Sequence, residues 1–328
     1  MKRFEHVDAT STTGAIRLLG ADGHARPIAG GTDLLTELKL GIISPDRLVN
    51  LKTIPGLGEI HFDKVRGLQL GAMATLDSIA AHDVVRERYP VLWQAILSAA
   101  SPQLRNVGTI GGNLCQDSRC WYYRGPFYCW LKGGEICYAR DGENAHHAIF
   151  GGGLCYMVHP SDLAPALIAL GASVRITGPN GGRVVPVEQF FQRPREGARG
   201  LTILGQAEII TEVRIPASAL GSQGTYLKAM DRRAWAFALA SVAVQLTMDG
   251  DTVQDVRLVL GGVAPTPWRV PVAEDALRGQ PLDNAAIDRV AEAAAAGAQP
   301  LGHNYYKVPL VKGIVRQALT ALRAHSAT

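Results

Sequence analysis

The cysteines are the residues with the most distinctive chemistry, because all five lie within one segment, residues 115–155. Cysteines that form disulfides would usually be spread along such a chain, so this clustering indicates metal or redox chemistry. Four of them are separated by 9, 8 and 18 residues, namely Cys120, Cys129, Cys137 and Cys155. Four thiolates can hold a zinc ion or an iron–sulfur cluster. Zinc sites usually use close pairs of cysteines, so the wide spacing favours a cluster, with zinc and free thiols as the alternatives.

Three further residues of the segment bear on the choice of ligands. Cys115 precedes Cys120 by five positions and is either another thiol near the site or a small buried residue. His146 and His147 are able to compete as ligands, but we expect them to be solvated or to hydrogen-bond within the loop. Aromatic residues of the segment are expected to shield a cluster from solvent, which tunes its potential. They are Trp121, Tyr122, Tyr123, Phe127, Tyr128 and Trp130.

Two glycine-rich segments form a second group of candidate binding residues. The first comprises Ala29, Gly30, Gly31, Thr32, Asp33 and Leu34, and the second comprises Thr109, Gly111, Gly112 and Asn113. Glycines let a backbone approach a ligand closely, and successive N–H groups before a helix favour an anion such as a pyrophosphate. Neither segment matches the Gly-x-Gly-x-x-Gly dinucleotide fingerprint. Each is also compatible with an ordinary turn, whereas the two together would be able to clamp one extended cofactor.

Composition and charge limit the class of protein. The chain has 328 residues, 47% of them hydrophobic, and a formal net charge of +4. Basic and acidic residues are mixed, so we expect no nucleic-acid partner. The longest apolar run, residues 237–244, is too short to cross a bilayer, and residues 1–12 lack the apolar stretch of a secretory signal. A soluble, cytoplasmic protein is therefore expected, periplasmic only if a signal-bearing partner carries it.

The elements that must position these residues alternate between helices and strands in the first two thirds of the chain. Strands are predicted at residues 26–29, 47–51, 173–176, 183–187 and 209–215, and helices at 10–19, 33–40, 76–82, 91–100 and 163–171. Residues 109–113 are predicted to be a turn, and residues 115–155 a long irregular loop, which is uncommon unless it is functional or held by a metal. Past residue 216 the pattern changes to strands at 225–230, 238–248 and 253–261, followed by helices at 284–297 and 310–325. This division predicts domains at 1–55, 56–215 and 216–328.

These motifs together resemble the FAD-binding subunits of molybdenum hydroxylases, a family that includes xanthine dehydrogenase, carbon monoxide dehydrogenase and aldehyde oxidoreductases. Both glycine segments look like the flavin motifs of that family. Three further segments are similar to family signatures, and the likeness extends over nearly the whole chain. They are residues 159–167 (HPSDLAPAL), 226–233 (YLKAMDRR) and 261–267 (GGVAPTP).

The resemblance implies a fold and a set of flavin contacts. The fold is a two-subdomain FAD-binding fold of the vanillyl-alcohol-oxidase type (α/β), followed by an α+β C-terminal domain of the CO-dehydrogenase flavoprotein type. By the same resemblance, Asp162 contacts the flavin and Lys228 lies near its isoalloxazine ring. If Lys228 has no such role, it is an exposed residue on a strand.

The cysteine segment departs from most of the family and resembles one subgroup. That subgroup includes the medium subunit of 4-hydroxybenzoyl-CoA reductase and that of a periplasmic aldehyde oxidoreductase. The resemblance implies one [4Fe-4S] cluster on Cys120, Cys129, Cys137 and Cys155, with Cys115 outside the set.

The implied role is electron transfer within a multi-subunit oxidoreductase, with no catalytic residue on this chain. The implied partners are a large molybdopterin-binding subunit, a small subunit with two [2Fe-2S] clusters, and an external carrier such as ferredoxin. A stand-alone flavin oxidoreductase of the same fold is the alternative, and a zinc-loop scaffold without flavin is a third. The organic substrate is not predicted, because the molybdenum subunit would determine it.

Overall fold

The computed structural model describes residues 2–21, 23–219 and 222–326, and within them the strands form three sheets. The strands are β1 (Glu5–Asp8), β2 (Ala25–Ile28), β3 (Arg47–Asn50), β4 (Ile60–Asp63), β5 (Gly67–Gly71), β6 (Ser173–Gly178), β7 (Gly181–Pro186), β8 (Ile209–Ile215), β9 (Gln223–Ala229), β10 (Ala240–Asp249), β11 (Thr252–Gly261) and β12 (Trp268–Arg269). The helices are α1 (Thr12–Gly20), α2 (Leu34–Leu40), α3 (Leu76–Ala81), α4 (Asp83–Arg88), α5 (Pro90–Ser98), α6 (Pro102–Arg105), α7 (Ile110–Leu114), α8 (Trp121–Arg124), α9 (Leu163–Ala169), α10 (Val187–Phe190), α11 (Pro271–Asp275), α12 (Asn284–Ala294) and α13 (Lys307–Ser326), with 3-10 turns at Trp130–Lys132 and Ala217–Ala219.

The first sheet is parallel and has the order β1-β3-β2. Parallel strands need crossover connections, which α1 and α2 supply. Leu19 of α1 and Val49 of β3 are buried together in the core of this unit. Strand β1 was not predicted, because its sequence EHVD has no alternation of apolar and polar residues. Most of its residues are exposed. Strand β2 ends just before the first glycine segment, and α2 begins at the last residue of that segment, Leu34.

The second sheet is antiparallel and has the order β4-β5-β8-β6-β7. The strands predicted at residues 173–176 and 183–187 are present as β6 and β7, which pair as a hairpin. Helix α9 is buried along its whole length, and its residues join those of β5 and α5 in one large core. This burial fixes the position of Asp162, which immediately precedes α9.

The third sheet is antiparallel, has the order β12-β11-β10-β9, and carries helices on both faces. Side chains of a strand alternate between faces. Val242 and Val244 accordingly pack in the core that contains α12 and α13, whereas Ala243 packs in the core that contains α9. Tyr226 of β9 also packs in the α9 core, so Lys228, two residues later on the same face, points towards Asp162.

Two local predictions need correction or refinement. Residues 109–113 were predicted to be a turn, but most of them belong to helix α7, because the Thr109 hydroxyl accepts the Gly112 N–H at 3.1 Å and caps the helix despite its glycines. The cysteine segment is irregular as predicted, except for α8 and the 3-10 turn at Trp130–Lys132.

The fold class is the predicted one, with an α/β part followed by an α+β part. The strands of the three sheets fall within residues 1–55, 56–215 and 216–328, respectively. The domain bounds themselves stay a prediction. Across the described ranges, no helix combines the length and the apolar character that spanning a membrane requires.

Candidate cofactor sites

A cleft of about 890 Å³ lies where the two glycine segments meet. Its volume falls within the range of about 300–1,000 Å³ that is typical of small-molecule and cofactor sites. Eleven of the twelve predicted flavin-site residues line it, namely Ala29, Gly30, Gly31, Thr32, Asp33, Leu34, Thr109, Gly111, Gly112, Asn113 and Asp162. Lys228 is not among the lining residues and lies behind Asp162. The fold therefore brings the two distant glycine segments to one site.

Glycine is required at Gly30 and at Gly31 for different structural reasons. A Cβ at Gly30 would lie 2.0 Å from the Val107 carbonyl oxygen, so only glycine lets the two segments approach this closely. The close neighbour of Gly30 is thus protein backbone, whereas the sequence had suggested a ligand. Gly31 has a φ of +74°, a left-handed conformation that side chains disfavour.

The second glycine segment is joined to the start of α9 by a side-chain hydrogen bond. The Ser161 hydroxyl donates to Asn113 Oδ1 at 2.5 Å and also accepts the Ala164 N–H. Asn113 and Asp162 therefore face the cleft from adjacent positions.

Asp162 and Lys228 form a buried ion pair at the edge of the cleft. Lys228 Nζ donates to Asp162 Oδ2 at 2.7 Å and to the Ser98 carbonyl oxygen at 2.9 Å. The Tyr226 hydroxyl donates to Asp162 Oδ1 at 2.7 Å. Burial raises the pKa of Asp162, while Lys228 and Tyr226 oppose that rise. The Lys228 side chain is only 1% exposed, so the alternative of a surface lysine is wrong.

A network of charged residues along the cleft was not predicted. The Asp33 carboxylate accepts the Asp117 N–H at 2.7 Å, and both Arg119 and Arg124 lie 2.8 Å from it. One helical turn later, Glu37 accepts a hydrogen bond from the Tyr123 hydroxyl at 3.2 Å. Burial, with the nearby charges of Asp117 and Asp33, raises the pKa of Glu37 to about 7.

Three other cleft residues also escaped sequence reasoning, namely Trp235, Ala236 and Phe237. They lie between β9 and β10, where no apolar periodicity marks them. Trp235 has a φ of +52°, and the Arg119 guanidinium stacks over the Phe237 ring at 5.2 Å. An aromatic residue in such a connection is the only signal that the sequence carried.

The four predicted cluster ligands line one small cavity beside the cleft, together with Tyr122, Tyr123, Trp130, Leu131 and Tyr138. Cys129 and Cys155 are buried, and Cys120 and Cys137 are half-buried. The described residues contain no group of three or more His, Cys, Asp or Glu side chains arranged around a single metal ion. Ligands of a multi-iron cluster lie farther apart than ligands of one ion, so four thiols around one cavity are compatible with a cluster.

The remaining candidates of the segment occupy different places. Cys115 lines the cleft instead of the cysteine cavity, and its side chain is exposed there. His147 is buried, with Nε2 at 3.1 Å from Cys120 Sγ, so of the two expectations for it, solvation or a hydrogen bond within the loop, the second is confirmed. Burial lowers the pKa of His147 to about 4.

The cleft and the cysteine cavity share part of their walls. Tyr123 and Leu131 line both of them. Tyr122, Tyr123 and Trp130 are buried as expected of residues that exclude solvent, whereas Trp121, Phe127 and Tyr128 are exposed. The two candidate sites are therefore immediate neighbours.

Comparison with known proteins agrees with this arrangement. A family model described as the FAD binding domain in molybdopterin dehydrogenase matches residues 2–218, and one described as the CO dehydrogenase flavoprotein C-terminal domain matches residues 225–322. The chain is 36% identical to the aldehyde oxidoreductase FAD-binding subunit PaoB of Escherichia coli (strain K12) over 92% of each chain. It is 31% identical to the carbon monoxide dehydrogenase medium chain of Hydrogenophaga pseudoflava over 99% of each chain. A solved structure of carbon monoxide dehydrogenase from that organism, which lacks the Mo-pyranopterin moiety of the cofactor, superposes with a TM-score of 0.79 at 30% identity over 98% of each chain.

The chain thus belongs to the family of FAD-binding subunits of molybdenum hydroxylases. It is a subunit of an oxidoreductase, and the resemblance stated from the motifs is confirmed at this level.

Proposed function

We propose that this chain is the FAD- and [4Fe-4S]-containing electron-transfer subunit of a multi-subunit molybdenum hydroxylase. FAD occupies the glycine-lined cleft, and the cluster occupies the neighbouring cavity on Cys120, Cys129, Cys137 and Cys155. Electrons pass between the molybdenum and [2Fe-2S] subunits and an external carrier. The aldehyde oxidoreductase relative makes an aldehyde substrate the first one to test for the assembled complex.

One observation carries the cluster part of the proposal. Four cysteines from separate positions of an irregular segment line a single cavity, and Tyr123 and Leu131 separate that cavity from the cleft. Four thiolates this close together repel one another, and ligation of iron offsets that repulsion by neutralising their charge. The fifth cysteine, Cys115, lies on the other side of the partition, in the cleft.

The cleft residues have distinct roles in holding the flavin. Gly31 and Gly112 let the backbone approach the pyrophosphate, and the N–H groups at the start of α2 bind it. The N–H groups of Gly111 and Gly112 already donate to the Ala72 carbonyl oxygen and to Thr109 Oγ1. Asp162, oriented by Lys228 and Tyr226, hydrogen-bonds the cofactor beside Asn113. When bound, FAD supplies the ability to take electrons singly and release them in pairs. The protein supplies binding, orientation and exclusion of water.

The partner subunits follow from the family relationship. Two relatives are named medium chains or FAD-binding subunits, which indicates that the rest of each enzyme lies on other chains. We propose a large molybdopterin-binding subunit and a small subunit with two [2Fe-2S] clusters as partners of this chain. Ferredoxin or a similar carrier is the proposed external partner.

The test is the cofactor content of the chain purified without oxygen after co-expression with iron–sulfur assembly proteins. We expect one FAD and about four iron atoms per chain, with a broad brown absorbance added to the flavin bands. Cys155→Ser should lose iron and the brown absorbance, while the matched control Cys115→Ser should keep both.

Other outcomes contradict defined parts of the proposal. Stoichiometric zinc without iron would exclude the electron-transfer role of the cysteine segment. FAD without any metal would show that the chain is a flavoprotein without a cluster, which is what the stand-alone alternative predicts. Loss of iron in Cys115→Ser but not in Cys120→Ser would show that the ligand set is misassigned.

A further inference from the structure

Asp33 belongs to both candidate sites at once. It directly follows Gly30, Gly31 and Thr32 in the cleft wall. Its carboxylate nevertheless points to the cysteine segment, where it accepts the Asp117 N–H at 2.7 Å and meets the Arg119 and Arg124 guanidinium groups at 2.8 Å each. The flavin side of the molecule therefore holds the cysteine segment through three charge-assisted contacts, which are stronger than neutral hydrogen bonds.

Glu37 makes a second connection one helical turn along α2. It accepts the Tyr123 hydroxyl at 3.2 Å and lies 3.5 Å from Arg124. The Glu37 side chain is 3% exposed and that of Arg124 is 12% exposed, so solvent screens these contacts little. Asp33 and Glu37 thus bind the same short stretch of the cysteine segment, residues 117–124.

That stretch contains Cys120 and sets its position. The Cys120 N–H donates to Ser118 Oγ at 3.1 Å, and the Cys120 carbonyl oxygen accepts the Arg124 N–H at 2.9 Å. Arg124 also donates from Nε to the Ser118 carbonyl oxygen at 2.7 Å. Arg124 therefore joins the backbone on both sides of Cys120 to the Asp33 carboxylate.

We propose that Asp33 and Glu37 are positioning residues that couple the two cofactor sites, so that FAD in the cleft and the cluster in the cysteine cavity each raise the affinity for the other. This inference rests on the proposed function, because it requires both cofactors. Neither residue needs to touch the cluster. They act by holding residues 117–124 in the arrangement that both sites share.

The physical basis is the cost of ordering the segment. Before either cofactor binds, we expect residues 117–124 to be less ordered. The free energy of binding the first cofactor is therefore reduced by the conformational entropy lost when these residues become ordered. The second then binds to a site that is already arranged. Coupling between two binding events is reciprocal, and typical values change affinity by about 5- to 150-fold.

The test is the FAD dissociation constant in four forms of the full chain: the wild type, Cys120→Ser, Asp33→Asn, and the double variant. In the wild-type background, Cys120→Ser should weaken FAD binding by at least about fivefold. In the Asp33→Asn background, the same cysteine change should weaken FAD binding by a clearly smaller factor than in the wild-type background, because only the Glu37 connection remains. A merely structural role of Asp33 would weaken FAD binding by the same factor with or without the cluster.

A second measurement covers the case in which Cys120→Ser does not fold. Removal of iron from the wild-type protein with a chelator should weaken FAD binding by the factor expected for Cys120→Ser. Reconstitution of the cluster should restore the original FAD affinity. Asp288→Asn removes an exposed ion pair with Arg316 and should behave as wild type. If wild-type protein holds no iron, the proposed function fails. If it holds iron and FAD but the FAD affinity is equal with and without the cluster, the coupling alone is overturned.

Discussion

Asp162 and Lys228 form a buried ion pair beside the cleft. Both charges lie inside the protein and satisfy each other, with Tyr226 and the Ser98 carbonyl oxygen as additional partners. Two buried opposite charges need not add net stability, but removal of one leaves the other uncompensated. Lys228 does not line the cleft and contacts Asp162, which does.

Lys228→Met should therefore destabilise the protein by about 3–5 kcal/mol, measured by urea unfolding. The unbalanced Asp162 charge should also lower the reduction potential of flavin bound in the cleft. The double variant Asp162→Asn, Lys228→Met should be more stable than Lys228→Met alone. Equal stability of wild type and Lys228→Met would contradict the buried pair.

The effect of Lys228→Met should depend on pH in a defined direction. Burial already raises the pKa of Asp162 above its ordinary value of 3.8, and Lys228 opposes the rise, so the pKa should rise further in the variant. A carboxyl whose folded-state pKa is raised contributes stability that is present below its unfolded pKa and is lost as pH rises through the folded pKa. The stability difference between wild type and variant should hence be smallest near pH 4 and grow towards neutral pH. A difference that is constant from pH 4 to 7 would exclude this account.

At the scale of elements, helix α7 shows how a short capped helix forms part of the cleft. Only five residues long and containing two glycines, it has little intrinsic helical preference. The Thr109 cap and the packing of Gly111 against Ala72 hold it in place, since a Cβ at Gly111 would lie 2.9 Å from the Ala72 carbonyl oxygen.

Thr109→Ala should cost about 1 kcal/mol of stability and weaken FAD binding, because α7, which lines the cleft, loses its cap. Thr109→Ser keeps the capping oxygen and should restore both. Asp283→Ala removes the equivalent cap of α12, where Asp283 accepts the Ala286 N–H at 2.7 Å, far from the cleft. It should lower stability by a similar amount without changing the FAD dissociation constant. If both cap variants leave FAD binding unchanged, α7 has no part in the site.

Over the whole molecule, the third sheet links the C-terminal part to the flavin cleft. Its face towards α9 carries Tyr226 and Lys228, and the connection that follows β9 places Trp235 and Phe237 in the cleft wall. The opposite face packs against α12 and α13. The cleft is consequently built from residues of all three sheet units and would not be complete in any one of them.

A subunit that only transfers electrons should show little substrate turnover by itself. We expect the isolated chain to oxidise neither aldehydes nor purines at a rate comparable with that of the assembled complex. Mixing with the molybdenum and [2Fe-2S] subunits should restore turnover and reduce the flavin, as monitored by its visible absorbance. Rapid oxidation of an aldehyde by the isolated chain would contradict the proposed role.

The sequence by itself determined the features that depend on local conformation. Glycines between a strand and a helix, a hairpin around Gly181, and apolar alternation in β10 and β11 are short-range patterns, and the corresponding elements are present. The family relationship also followed from short motifs, and the comparisons confirm it. Clustered cysteines without close pairs pointed to a metal-binding segment, but not to its surroundings.

Only the tertiary structure decided which distant side chains meet. Asp33 and Asp117 are 84 positions apart, and no periodicity relates them. Cys115 and Cys120 are five positions apart, yet one faces the cleft and the other the cysteine cavity. By local pattern alone Lys228 is an ordinary lysine on a strand, and only the packing of β9 beside Asp162 buries it. The reason is physical: local patterns set backbone conformation, whereas the partner of a buried charge or thiol depends on how separate elements pack.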